Sequence, residues 1–329
     1  MTLPSRQRGV ALIIVLLAFA LGSIFAAGMM SRQSIMIHGG GHYLQQSEAQ
    51  SLAMGAEAFA RQFLYRDWES DSEEEQPADH RMEDWARYSV ALPVEVGAIE
   101  AQINDLQGRL NLNNLVNDNG EVDELTQERF ERLLAALDIR SISVEVLIDW
   151  IDGDDQATGA GGAEDGDYLA QDPPYRAANQ PFTHVSELRL MDRITREDYE
   201  ALRPHVAALP SSNESINVNF ASPAVIRSLH ERISEQEAEA IAELARDEPF
   251  LDIQDFLALP QFSGMGLDEE GLDVRSQYFE AAARVSVGDT VYRLVSFMHR
   301  GQQEGEITTI SRDAGRTGII TKETIQAPE

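Results

Sequence analysis

The chain has 329 residues, no cysteine, and a formal net charge of −30, with 56 acids against 26 lysines and arginines. These values exclude disulfides, thiol catalysis and cysteine-ligated zinc, and they argue against nucleic acid as a ligand, because so acidic a surface repels phosphate and attracts divalent cations or basic partners. Lys322 is the sole lysine and lies near the C-terminus, which leaves no candidate for a phosphate-binding loop or a Schiff-base amine.

Residues 1–9 carry Arg6 and Arg8 and no acid, and the run from Val10 to Ser31 has no charge at all. At about 1.5 Å per residue such a helix spans roughly 30 Å, the hydrocarbon thickness of a bilayer. The basic leader belongs on the cytoplasmic side and everything after Arg32 on the other. Residues 1–32 hold three arginines and no acid, so the exported remainder carries −33, three more than the whole. A secretory signal peptide would end a shorter apolar stretch in a small-x-small site; here the junction Arg8-Gly9-Val10 stands before the apolar run. That order resembles a type IV prepilin signal. The resemblance implies cleavage between Gly9 and Val10 by a prepilin peptidase, methylation of the new N-terminus, and a single-pass anchor in a bacterial inner membrane with the bulk in the periplasm. The fifth mature residue of such proteins is usually glutamate, whereas Ile14 occupies that place. A missing carboxylate suits a subunit at the tip of a fibre and is similar to the K-type minor pseudopilins of type II secretion.

Helical periodicity continues through Ala49, Leu52, Ala53, Ala56, Ala60, Phe63 and Leu64, one stripe that should pack on a sheet. Gly39-Gly40-Gly41 predicts a kink, a melted turn or a flexible spacer, at roughly 1 kcal/mol per glycine. Residues 67–84 are acidic and proline-containing, the pattern of a surface loop. Short strands are predicted around 87–92 and 98–104 and in the 108–113 stretch, then at 278–287 and 290–299, where Gly288-Asp289 makes a two-residue hairpin turn, and at 306–311. Capping residues and helical patterns fill the interval between. The expected fold is α+β: a pilin-like long N-terminal helix packed on an antiparallel sheet, with a large all-helical inserted domain. The boundaries are a leader at 1–9, the transmembrane and pilin helix at 10–66, the first part of the sheet at 67–112, the insert at 113–275, and the second part of the sheet with the tail at 276–329.

Gly108-Arg109-Leu110-Asn111-Leu112-Asn113, Asp149-Trp150-Ile151-Asp152, Gly162-Ala163-Glu164-Asp165 and Pro173-Pro174-Tyr175-Arg176-Ala177-Ala178-Asn179, together with the leader, resemble the K-type pseudopilin over nearly the whole chain. The resemblance implies a structural subunit and no enzyme, sister I- and J-type pseudopilins as partners, and calcium bound near the insertion. A weak internal repeat pairs Arg109–Asn114 with Ser215–Ser222. The second copy is similar to helix-hairpin-helix modules of DNA-uptake proteins, which makes a membrane-anchored DNA-uptake receptor the alternative function. Arg232-Ile233-Ser234-Glu235-Gln236-Glu237, however, puts carboxylates where such modules have glycines.

The densest polar constellation runs from Asp149 to Asp167. Calcium needs six to eight oxygens, and carboxylates this close would raise one another's pKa unless a cation relieved them. Asp152, Asp154 and Glu164 are the first candidate ligands, with Asp149, Asp165 and Asp167 behind them; the plain alternative is a solvated acidic loop. The spacing is not that of an EF-hand, since Ala157 and Ala163 fall on its glycine and glutamate positions. His230-Glu231-Arg232-Ile233-Ser234 misses the second histidine of a zinc-protease helix. The other histidines show no ligand spacing, and no nucleophile and base accompany them.

Overall fold

The computed structural model describes residues 8–72, 75–191, 193–301 and 305–326, and for residues 8–10 only the backbone. Residues 1–7 of the leader lie outside that range, and Gly9 and Val10 fall where no side chain is described. An uncharged apolar run followed directly by an alanine stripe makes one helix, α1 (Arg8–Asp71), of 64 residues. The predicted break at Gly39–Gly41 is absent. Glycine in a helix is costly, not forbidden, and all three positions face open space. The N-terminal part of α1 is fully exposed, with a mean hydropathy of 2.6 over its most apolar window. Farther along, Ala49, Ala53, Ala56, Ala60 and Leu64 are buried at helical spacing, and their small side chains let the helix lie close on the sheet.

After α1 comes a short α2 (Asp84–Arg87), then β1 (Ser89–Val94) and β2 (Gly97–Asp105). The insert contains β3 (Leu110–Asn111), α3 (Glu124–Ala136), α4 (Val144–Ile151), α5 (Asp165–Tyr168), α6 (Arg196–Leu202), β4 (Val206–Ala207), β5 (Ile216–Asn217), α7 (Pro223–Ser228), α8 (Glu235–Asp247), α9 (Ile253–Leu257) and β6 (Leu272–Asp273). The chain then returns to the sheet with β7 (Tyr278–Val287), β8 (Thr290–Arg300), β9 (Ile307–Asp313) and β10 (Thr324–Gln326). The sheet order is β10-β1-β2-β7-β8-β9. All its pairings are antiparallel except β1 with β10, so the insert joins two strands that are neighbours. β7 and β8 turn at Gly288, whose φ of +54° is the left-handed conformation the hairpin requires.

Four further readings from the sequence need correction. The 67–84 segment is not all surface: α1 extends through its start to Asp71, and Ala78 and Asp79 are buried. Only Leu110–Asn111 of the 108–113 stretch is strand, and Leu112–Leu115 is a 3-10 turn. The insert is helical but not entirely so, since β3 pairs with β4 and β5 with β6, each over two residues in parallel. The C-terminal tail supplies the parallel strand β10.

The two short parallel pairs give the internal repeat a physical basis. In the first half, the Asn113 side chain accepts from Phe182 N at 2.7 Å and donates to Phe182 O at 2.9 Å. In the second half, Asn219 does the same with Phe250, at 2.9 Å in both directions. Each buried asparagine thus replaces a backbone peptide in satisfying a loop that would otherwise be orphaned. Asn111 and Asn217 each turn an oxygen back to the amide two residues on, at 3.3 and 2.9 Å. The halves share one apolar core from Leu110 to Val274, in which α3 packs on α7 and α7 on α8.

Candidate metal centre

Helix α4, Val-Glu-Val-Leu-Ile-Asp-Trp-Ile, is buried along almost its whole length, and an acid in such a helix needs a reason. Asp149 is fully buried. The chain leaves α4 at Asp152, loops out through Asp154 and Asp155, and returns through Gly161 and Gly162 to Glu164, the residue before α5. Carboxylate oxygens of Asp149, Asp152 and Glu164 lie within 4.8 Å of one another. The closure depends on glycine: a Cβ on Gly162 would stand 2.1 Å from Asp149 Oδ2, and one on Gly161 2.4 Å from Ser143 Oγ. Below the carboxylates Trp150 meets Tyr168 edge-on at 5.3 Å and stacks on Phe182 at 6.4 Å.

The polar accounting at this site does not close within the protein. Asp149 Oδ1 accepts from Thr158 N at 2.9 Å. Asp149 Oδ2, Asp152 Oδ1 and both Glu164 carboxylate oxygens are buried without a well-formed hydrogen bond, the Glu164 carboxylate having the backbone amides at the start of α5 beside it. Among the described residues no arginine or lysine forms an ion pair with any of the three. Burial, then Asp149 and Asp154, push the Asp152 carboxyl up to about 6. Burial, then Asp149 and Asp152, push Glu164 up to about 7. A cluster that is all hard oxygen, lacks sulfur and imidazole, and has orphaned acceptors fits a calcium-type cation. Unpaired ionised groups in such a place cost several kcal/mol.

Of the six candidate ligands the structure gathers three. Asp154 stays at the rim, its Oδ1 accepting from Gln156 N at 2.7 Å. Asp165 is engaged elsewhere, by an ion pair with Arg176 and by Ala177 N at 3.1 Å. Asp167 Oδ2 accepts from Glu164 N at 3.2 Å and fixes the start of α5. The Pro173–Asn179 segment therefore belongs to the site architecturally, since Arg176 and Ala177 hold Asp165 and Asn179 Nδ2 donates to Asp154 O at 3.0 Å. Asn179 was not singled out in the sequence. Its Oδ1 is buried and has no donor, and its φ is +45°. Asparagine tolerates that conformation better than most residues, which is the one sequence signal that could have singled it out.

A second acidic group lies in the 67–84 stretch that the sequence reads as surface loop, with two members from the end of α1 and two from the loop that follows. Asp67, Asp71, Asp79 and Glu83 cluster within the same reach, but here Arg300 stands among them. Its guanidinium meets Asp79 at 2.5 and 2.6 Å and Asp67 at 3.1 Å. The site has its cation built in. The histidines do no comparable work: His184 caps a 3-10 turn through Ser186 N at 3.1 Å, and burial with the nearby Arg109 pushes the His205 imidazole pKa down.

Comparison with known proteins places the chain. Two family models described as type II secretion system protein K match residues 108–211 and 216–275, the two halves of the insert. A type II secretion system protein K of Pseudomonas aeruginosa is 37% identical over 319 residues, 95% of this chain and 94% of the relative. That of Klebsiella pneumoniae is 32% identical, with 90% and 93% covered. A chain in the crystal structure of the GspK-GspI-GspJ complex from the enterotoxigenic Escherichia coli type 2 secretion system superposes with a TM-score of 0.72 at 26% identity, over 84% of this chain and 99% of that one.

Proposed function

Because this chain belongs to the type II secretion system protein K family, we propose that it is the minor pseudopilin that caps or initiates the tip of a periplasmic pseudopilus. The observation that carries the reading is the likeness, over 84% of the chain, to a protein solved in complex with two sister subunits. Processing between Gly9 and Val10 by prepilin peptidase, followed by methylation, fits the basic leader ahead of the exposed apolar half of α1. The orientation, leader in the cytoplasm and bulk in the periplasm, follows from Arg6 and Arg8. The role is structural, and the charge opposes the rival reading of a DNA-uptake receptor.

Partners of I and J type would seat on α1 and the sheet face beside it. α1 crosses β7 and β8 and leaves the β1 side of the inner face open. A cavity of about 280 Å³ remains there, bordered by Phe59, Ala56, Val90, Leu92 and Ile99; Phe59 is 57% exposed. An exposed aromatic beside an apolar cleft marks an interaction surface. Above it, Ile14 leaves no carboxylate for a neighbour's N-terminal amine, and the bulk of the insert would obstruct a place within a shaft. Labelling along isolated pseudopili is the test: signal at one end is expected, and regular spacing down the fibre would sink the tip position.

Calcium is the proposed ligand of Asp149, Asp152 and Glu164. A ligand that binds only the folded state raises the melting temperature with the logarithm of its concentration. Calcium should raise that of the full chain, and Asp152→Ala with Glu164→Ala should abolish the gain. An undiminished response in the double variant would place the ion elsewhere.

A further inference from the structure

The tail of the chain is bound far more closely than a polar C-terminus needs to be. Arg316 pairs with Glu280. Ile319 is buried on Ala282 and Val295, on the face of the sheet opposite α1. Gln102 then receives Thr321 N and Lys322 N at 2.8 and 3.0 Å and donates to Thr321 Oγ1 at 3.0 Å. Lys322 Nζ donates to Ile103 O, with Trp85 O at 3.5 Å and the Trp85 ring 5.9 Å away. Finally Ser89 N donates to Glu323 O at 3.0 Å, the Ser89 and Thr324 hydroxyls meet at 2.6 Å, and residues 324–326 pair with Ser89–Ala91.

Without this tail β1 would be a free edge of the sheet, a row of unpaired N–H and C=O groups that invites another strand. Its far half contains Pro93, which lacks an N–H and is characteristic of protected edges. The tail covers Ser89–Ala91, the half without that protection. The strand most able to exploit an open β1 is another β1. Copies anchored in one membrane through the same α1 hold their edges at the same height.

We propose that residues 314–326 form a strap that closes the β1 edge against pairing with a second copy of this chain, and that Lys322 holds the strap shut. The lysine sits where its charge is disfavoured: burial, with Arg81 adding and Asp105 opposing, takes its pKa down to about 8. The lysine is accordingly held by directed contacts to two carbonyls and one ring, and the strap it fastens opens without unfolding β7 and β8.

The absence of cysteine makes the test direct. In full-length protein carrying Ala91→Cys, in detergent or nanodiscs, copies should cross-link slowly through β1. Ending the chain at Gly315 should raise the cross-linking rate at least tenfold, and Lys322→Ala should raise it severalfold. Hydrogen exchange across 279–287 should stay unchanged in both. Cross-linking of the truncated chain at the intact rate would overturn the closure of the edge. Lys322→Ala behaving as the parent would remove the lysine's part in it. Loss of protection over 279–287 on truncation would make the tail core, not strap, and would equally overturn the proposal.

Discussion

The two buried acidic clusters differ in one respect that decides their chemistry. Asp67, Asp71, Asp79 and Glu83 surround the guanidinium of Arg300, and the surplus of acid is absorbed by protonation: burial, then Asp67 and Asp79, push the Glu83 carboxyl up to about 10 against the pull of Arg300. Among the described residues Asp149, Asp152 and Glu164 have no such partner, and their oxygens converge. A folded chain can hold several buried carboxylates either by supplying its own cation or by leaving room for one. This molecule does the first where α1 meets the sheet, and the calcium proposed above would make the insert a case of the second. The lesson is that an acidic cluster in a sequence says nothing about metal until the distant arginines are placed.

The contrast is broken most severely by removing the internal cation. Arg300→Met should cost about 3–5 kcal/mol, the usual penalty for leaving a buried charge without its partner, as measured by urea unfolding. Next is Glu57, buried in α1 beneath β8 and β9. Burial alone would push its carboxyl up, but Arg312 at 2.6 and 2.8 Å, with Ser296 and Thr309, brings it down to about 2. Glu57→Gln should cost about 1–3 kcal/mol. Because the folded pKa lies below the unfolded one, that contribution is present above pH ~4.5 and is lost as pH falls toward 2; the variant should show a flatter acid limb.

In the insert the perturbation is geometric. Gly162→Ala would drive a methyl into Asp149 Oδ2, so calcium affinity by isothermal titration should fall about tenfold or more, equivalent to at least ~1.4 kcal/mol, with the sheet unaffected. The opposite pH sign sharpens the comparison. Asp152 and Glu164 have folded pKa values above their unfolded ones, about 6 and 7. In chelator the melting temperature should therefore rise by a few degrees as pH drops from 8 to 5, the gain being complete below the unfolded carboxylate values. With calcium present the trend should weaken or reverse, since protons compete with the ion. The smallest effect belongs to Gly40→Ala, which faces open space: local helicity should rise by at most about 1 kcal/mol, with no change in chemical unfolding of the sheet.

What was legible in the sequence was whatever depends on local pattern. The alanine stripe from Ala49 to Leu64, the hairpin at Gly288 and the span from Val10 to Ser31 each carry their period or turn chemistry within a few residues. The parallel pairings of β3 with β4 and β5 with β6 involve two residues each and join segments far apart, so no periodicity announces them. β10 was hidden for a related reason, being three residues held by Ser89 and by pairing with Ser89–Ala91, long-range contacts that propensity does not encode. Among the proposed calcium ligands the sequence ranked Asp154 above Asp149, whereas of these two only Asp149 lies in the converging group. Charge density favours the exposed turn, whereas coordination needs depth, and the better indication was the acid embedded in an otherwise apolar α4. Arg300 could not have been matched to Asp79, because 221 positions separate them.

The continuity of α1 through its three glycines has a mechanical consequence. At about 1.5 Å per residue, 64 residues make a rod of roughly 96 Å. His42 reaches the sheet at 3.2 Å from Thr290, and the apolar run ends near Ser31, so roughly 15 Å of helix lies between the apolar run and that contact. An axial load on the head has no slack linker to straighten. It passes along the backbone hydrogen bonds directly to the apolar segment, so with that segment seated in a bilayer the load would be met by the cost of lifting uncharged residues out of hydrocarbon.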